Sequence, residues 1–378
     1  MKRSFAAVAA LGAISGAAYA QGSVTLYGIA DAGFLYLNNT GGHSVLEATS
    51  GNEQSSRWGL RVQEDLGGGL NATAKLENGF SIMNGTASQN GRLFGREAWV
   101  GLSSNAYGTL TMGRQYSTFA DQVSPVNFAN NNLLTFLSAH PLDNDNIDAT
   151  YRIDNSVKYV SPVYRGFQAE AMYGFSNSTS FAVNRAYSGA LGYTNSAVHL
   201  AVAYTRLNFP GYNKDTVGAI PSDSYYTQSF LASATTVQQW GAGGTFNVGR
   251  STFGVLYTDA RFQDPATGSL FSGPYGSGGG KGSVRFQNIE GNVRYQFTPF
   301  LFGGIAETYT HAMQGKSSGN YWQTSAGIQY YLSKRTNFYA DAYYQKTSRN
   351  LNATFALTGT PSSTSSQVAV TIGIRHKF

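Results

Sequence analysis

From Gln21 onward one pattern repeats: about ten residues in which apolar and polar side chains alternate, followed by a break. Alternation with period two is the mark of a β-strand whose two faces meet different surroundings. Sixteen such units lie near 23–38, 55–67, 70–82, 92–104, 108–117, 150–163, 166–177, 185–195, 198–209, 236–248, 251–262, 285–297, 300–312, 321–333, 336–347 and 366–378. In one, Trp240, Ala242, Gly244, Phe246 and Val248 share a face opposite Gln239, Gly241, Gly243, Thr245 and Asn247. Each unit has the ~9–11 residues that a tilted strand needs to cross a bilayer. Beyond residue 20, no run approaches the ~20 apolar residues of a membrane helix.

The breaks alternate as well. Short turns (Gly67–Gly69, Ser104–Tyr107, Tyr164–Arg165, Asn195–Ala197, Gly249–Arg250, Thr298–Pro299, Lys334–Arg335) interleave with longer loops near 39–54, 83–91, 118–149, 178–184, 210–235, 263–284, 313–320 and 348–365. Tight turns on one edge and long loops on the other describe an up-and-down membrane barrel, with turns toward the periplasm and loops outside. The predicted fold is all-β, a 16-stranded antiparallel transmembrane β-barrel.

In hydrocarbon every backbone group needs a partner within the protein, so the sheet has to close on itself. Sixteen strands enclose a lumen too wide for side chains to fill, which makes the interior wet and turns the apolar set toward lipid. The last strand, SQVAVTIGIRHKF, alternates to its final residue and pairs with the first, Ser23–Asn38. Phe378 would then end the outward face in the periplasmic aromatic girdle, where it serves barrel closure and assembly.

Composition agrees. Forty-five Gly, 25 Tyr and 23 Phe accompany only 12% charged residues, too aromatic for a disordered chain. Met1-Lys2-Arg3, an apolar run from Phe5 to Ala18 and the Ala18-Tyr19-Ala20 pattern read as a secretory signal over 1–20, leaving 21–378 as the barrel. The formal charge of +6 falls to +4 without Lys2 and Arg3, and no basic run suggests nucleic acid as a partner. The absence of cysteine excludes thiol catalysis and Cys-ligated zinc. His43, His140, His199, His311 and His376 stand singly, so neither metal site nor cofactor is implied. Gly315–Gly319 matches the G-x-S-x-G nucleophile elbow, but no helix follows; Gly276–Gly282 approaches a phosphate loop without its Ser/Thr.

The chain resembles the sixteen-stranded general diffusion porins of Gram-negative outer membranes, especially the Neisserial-like branch. The resemblance is carried by SVTLYGIADAGF, SSRWGLRVQEDLGGGL, GREAWVGLSSNAYGTLTMGRQYS, ATYRIDNSVKYVSP and the terminal IGIRHKF. It implies homotrimers of water-filled channels in the cell outer membrane, with the third long loop (118–149) folded inward as a constriction. The implied partners are outer-membrane lipids and lipopolysaccharide, the barrel assembly machinery acting through the C-terminal strand, and small hydrophilic solutes and ions.

Parity then assigns the channel wall. Trp58, Leu60 and Val62 facing lipid turn Arg57 and Arg61 inward; Leu70, Ala72, Ala74 and Leu76 do the same for Lys75 and Glu77. Arg96, Arg152 and Lys158 point inward from neighbouring strands, forming one basic wall. A lipid-facing Arg near the midplane would cost ~2–4 kcal/mol, which favours the inward placement. Asp121, Asp143, Asp145 and Asp148 on the third loop supply the facing acidic set, or are merely solvated loop residues. Arg114 shares the outer parity of Leu110 and Met112, and lies either in a trimer interface or at the headgroup level. The expected function is a non-enzymatic channel for passive diffusion with weak anion preference. A barrel enzyme would need a His with an acidic or Ser partner on its outer surface, and an adhesin would concentrate its distinctive content in the loops.

Overall fold

The structure is a computed structural model that describes residues 22–130, 136–210, 218–220, 233–265, 282–348, 351–356 and 358–378. The expected signal, 1–20, lies outside the described residues, as do most of the Gly276–Gly282 tract and parts of the fifth and sixth long loops.

Among the described residues, seventeen strand segments run in chain order: β1 (Ser23–Thr40), β2 (His43–Ser50), β3 (Arg57–Asp65), β4 (Leu70–Gly79), β5 (Glu97–Ser104), β6 (Gly108–Gln115), β7 (Ile153–Val160), β8 (Phe167–Gly174), β9 (Arg185–Thr194), β10 (Val198–Asn208), β11 (Thr236–Val248), β12 (Ser251–Gln263), β13 (Val284–Gln296), β14 (Leu301–Gln314), β15 (Ser317–Tyr331), β16 (Thr336–Thr347) and β17 (Ser366–Lys377). All pairings are antiparallel and, apart from β1–β3 and the closing β1–β17, join neighbours in sequence. β2 and β3 both pair with β1, β2 with its far half and β3 with Ser23–Ile29, so the two segments form one interrupted stave. The barrel therefore has sixteen staves.

Closure runs through β1 and β17, from Ile29 opposite Lys377 to Leu37 opposite Ala369. One rung further, Gly28 and Phe378 exchange both backbone hydrogen bonds at 3.0 Å. A Cβ at position 28 would collide with the Phe378 ring, so only glycine lets the terminal aromatic lie over the seam.

The expected faces are present. On β17, Ile372 and Ile374 are 51% and 39% exposed, whereas Thr371 and Arg375 are 0% and 1%. Val24, Leu26, Phe34, Val100, Leu102, Met112, Trp240, Val255, Trp322, Ile328 and Phe338 continue the outward apolar belt. An aqueous globule would bury this set. The inner face is not uniformly polar, however. Leu207, Val237, Phe262, Val284 and Phe286 point inward and pack with Tyr151, Ile220 and Leu351. Leu35 and Leu37 pack with Leu137 and Phe355. These patches lie where loops dock on the wall, since a loop folded into a wet lumen needs apolar contact to stay there.

Two sequence expectations are corrected. The region 39–54 is not an open loop, because His43–Ser50 is a strand. Its adjacent Val45 and Leu46 break the period of two and disguise it. The region 313–320 is likewise not a long loop: β14 and β15 run on until Gln314 faces Ser317, leaving a two-residue turn. Beyond the apolar belt both strand faces are wet, so the polar GKSSGN stretch carries no alternation to read.

Candidate functional site

The third long loop leaves β6 and turns into the barrel. Its first element is a short helix, α1 (Thr118–Gln122), capped by Ser117, whose hydroxyl accepts from the Ala120 N–H at 3.3 Å. Phe119, Val123, Val126 and Ile147 bury their side chains against Ala201, Ala203 and Leu256 of the wall. Polar bonds fix the loop further: Thr118 to Ser188 at 2.6 Å, Gln122 to Glu170 at 2.6 Å and Tyr151 to Gln239 at 2.5 Å.

The strongest anchor is His140. Its Nδ1 lies 2.6 Å from Asp145, its Nε2 lies 3.3 Å from Glu290 on β13, and all three side chains are fully buried. Burial disfavours a charged ring, but the two carboxylates outweigh it and hold His140 up at about 10. The imidazolium thus bridges loop and wall. Glu290 also accepts from the Phe128 N–H at 2.7 Å and from Asn292 at 2.6 Å, and Asp145 accepts from Thr258.

Between the loop and the opposite wall lies a cavity of about 610 Å³. Arg57, Arg96 and Arg152 line it from the strand side, Asp121 and Asp148 from the loop, and Tyr116 between them. The Tyr116 hydroxyl takes hydrogen bonds from Arg96 and Arg152, both at 2.7 Å, and the Arg152 guanidinium lies 4.7 Å from the ring centroid. Arg96 is paired with Glu77 at 2.6 Å, and Lys158 with Asp121 at 2.5 Å. No salt bridge joins Arg57 or Arg152 to a carboxylate among the described residues. Asp148 is half-buried; burial raises its carboxyl to about 6 against the opposing pull of Arg152, Arg96 and Arg57.

Not every expected residue reaches this cavity. Lys75 bonds Glu97 and lies 3.5 Å from Glu77, below the cavity in the β4 ladder. Arg61, the cross-strand partner of Lys75, lies midway along β3 and stacks 4.5 Å over the Tyr27 ring. Asp143 and Asp145 are buried within the loop rather than presented to the channel. Asp143 accepts from the Asp148 N–H at 2.9 Å and from Thr150 at 2.7 Å, while Asp145 belongs to the His140 bridge. Arg114 is bonded inside its own chain, to the Gly95 carbonyl at 2.9 Å and to Asp154, which also pairs with Arg92 at 2.9 Å. An intramolecular carboxylate therefore compensates its outer-parity charge, a partner that the neighbouring sequence did not reveal. Sequence reasoning also missed Glu53 and Gln54, which line the cavity from a segment expected outside the barrel, and Ser55, the first residue of the expected next strand. The wide departure of 39–54 from alternation was the only signal there.

The sequence profile of the Gram-negative porin family matches residues 7–350. An outer membrane porin protein of Bordetella pertussis is 31% identical over an alignment covering 100% of both chains. The major outer membrane protein P.IA of Neisseria meningitidis serogroup C is 27% identical, covering 85% of this chain and 81% of its own. Among solved structures, an anion-selective porin from Comamonas acidovorans superimposes with a TM-score of 0.73 at 23% identity, covering 95% of this chain and 100% of that one. With a sealed barrel, an outward apolar belt and a charged inner passage, the chain belongs to the Gram-negative porin family and is an outer-membrane channel for the passive diffusion of small hydrophilic solutes and ions.

Proposed function

We propose that the passage between Arg57, Arg96 and Arg152 on one side and Asp121 and Asp148 on the other is the constriction, and that it gives the channel a mild anion preference. The carrying observation is the charge balance at the cavity. Asp121 is offset by Lys158, Glu53 by Arg375 at 3.3 Å and Arg96 by Glu77, which leaves Arg57 and Arg152 facing Asp148. Fixed charges in a narrow, low-dielectric passage raise the local concentration of the opposite ion. The Comamonas acidovorans porin, which shares this fold and is anion-selective, supports the same sign. Arg61 adds positive charge further along β3, whereas Lys75 is offset by Glu97.

The functional unit of this reading is a homotrimer embedded in outer-membrane lipids and lipopolysaccharide, as in the trimeric form of a Vibrio cholerae outer membrane protein with the same fold. Residues 1–20 direct export and are removed. The C-terminal strand, ending on Phe378, is the segment that the barrel assembly machinery engages.

The test is a planar bilayer with a KCl gradient. Openings in multiples of three with a reversal potential on the anion side support the reading; cation-side reversal overturns it.

A further inference from the structure

The break between β2 and β3 is a built feature rather than slack. Opposite β1, Ser50 pairs with Ala32 and Arg57 with Ile29, so Ala30 and Asp31 face the six residues 51–56. A surplus of that kind bends a strand and throws the extra residues off the sheet plane. Here they go inward. Gly51 takes φ +83°, and a Cβ on it would lie 2.9 Å from the Ser55 Cα, so a glycine is required to start the excursion.

Asp31 organises the inner side. Its carboxylate accepts the N–H groups of Glu53 at 3.1 Å and Gln54 at 2.8 Å, and its carbonyl accepts from Gly51 at 3.0 Å and from the Ser56 hydroxyl at 3.1 Å. The far side is bolted across the barrel seam. Glu53 accepts from Asn337 at 3.0 Å and from Gln329, and lies 3.3 Å from Arg375. Arg375 also donates to Gln54 at 3.3 Å, Asn337 at 3.0 Å and Tyr331 at 3.2 Å. Tyr339 donates to Asp31 at 2.7 Å. Asp31, Glu53 and Arg375 are all buried, so this network sits in low dielectric and resists rearrangement.

The product is a rigid projection whose Gly51, Glu53, Gln54 and Ser55 line the same cavity as Arg57 and Asp148, with Ser55 exposed at its tip. We propose that residues 51–56 are a second, fixed constriction element that determines which solutes pass, with Ser55 at the water-facing point beside Arg57. The passage is then bounded by two inward-folded segments, of which, among the described residues, only the long loop carries a charge toward Arg57 that has no neutralising partner of its own. The inference rests on the channel reading above.

The chain contains no cysteine, so Ser55→Cys provides a single thiol. Modification with a sulfonate-bearing or a trimethylammonium-bearing methanethiosulfonate should lower single-channel conductance by roughly a third, as expected when a side group enters the narrowest section. The sulfonate should move the reversal potential toward cations and the trimethylammonium toward anions. Complete modification, verified by mass, that leaves both quantities unchanged overturns the proposal, as does a thiol that fails to react in a channel that conducts. A wild-type barrel that does not conduct at all would instead overturn the channel reading, which separates the two failures.

Discussion

The two sides of the passage are built by different rules. On the β3–β7 side, a residue's direction follows from its place in a ladder: Arg57 and Glu77 point inward because Trp58 and Leu76 point outward. On the loop side, direction follows from packing. Asp145 and Asp148 lie three residues apart, yet one is fully buried against His140 and the other lines the channel. The wall therefore tolerates changes of charge, because its backbone is held by the barrel's hydrogen bonds. The loop has no ladder and depends on its side chains for its position.

The sharpest break in this comparison is His140→Leu. It leaves Asp145 and Glu290 buried without their cation, and breaking a buried ion pair costs about 3–5 kcal/mol. The loop should come away from β12 and β13, giving strongly fluctuating single-channel currents and a lower melting temperature of the folded barrel. His140 is held at about 10, above its unfolded value. Its stabilisation is therefore full below the unfolded pKa of about 6.5 and is lost as pH rises through 10. The ring keeps its charge through neutral pH, so wild-type channels should become noisy only near pH 10. Quiet currents in the variant would show that the apolar contacts of Phe119 and Ile147 are sufficient.

Next in size is the wall itself. Arg57→Gln with Arg152→Gln removes the two cavity-lining guanidinium groups that have no carboxylate partner among the described residues, and should lower the anion-to-cation permeability ratio by about threefold. Melting should be unchanged. A stability loss comparable to that of His140→Leu would erase the distinction between wall and loop.

This difference also explains what could be read beforehand. Strand positions, the outward belt and the inward arginines follow from a period of two, which the bilayer enforces wherever a strand crosses it. Outside that zone the constraint lapses. His43–Ser50 was hidden by adjacent apolar residues, and the β14–β15 extension by its polar composition. Contacts between residues far apart in sequence left no local trace: Arg375 meets Glu53, and Arg114 meets Asp154. The buried fate of Asp143 and Asp145 depends on Thr150 and His140 folding back onto them, which composition cannot report.

A smaller effect separates the four loop carboxylates. Asp148, raised to about 6, loses its charge as pH falls through that value. Anion preference should therefore increase between pH 7 and pH 5 in wild type. In Asp148→Asn it should already be at the higher level, with no pH step near 6. Asp145→Asn should show the opposite profile, with wild-type selectivity and a destabilised loop.

The smallest effect divides the wall rather than the loop. Arg57 and Arg61 lie on one face of β3 and carry the same charge, so parity alone treats them alike. Their positions differ: Arg57 lines the cavity, while Arg61 lies four residues further along β3, opposite Lys75, and stacks on Tyr27. In open water at physiological salt, a charge is screened within about 8 Å, so Arg61 acts weakly on an ion at the level of Arg57. Arg61→Gln should leave the reversal potential at the wild-type value in 0.15 M salt and shift it only at the lowest salt, where screening lengthens to about 30 Å at 0.01 M. An Arg61→Gln shift as large as that of Arg57→Gln at both salts would place the selective level lower in the barrel. The Tyr27 stack would then count as part of the constriction.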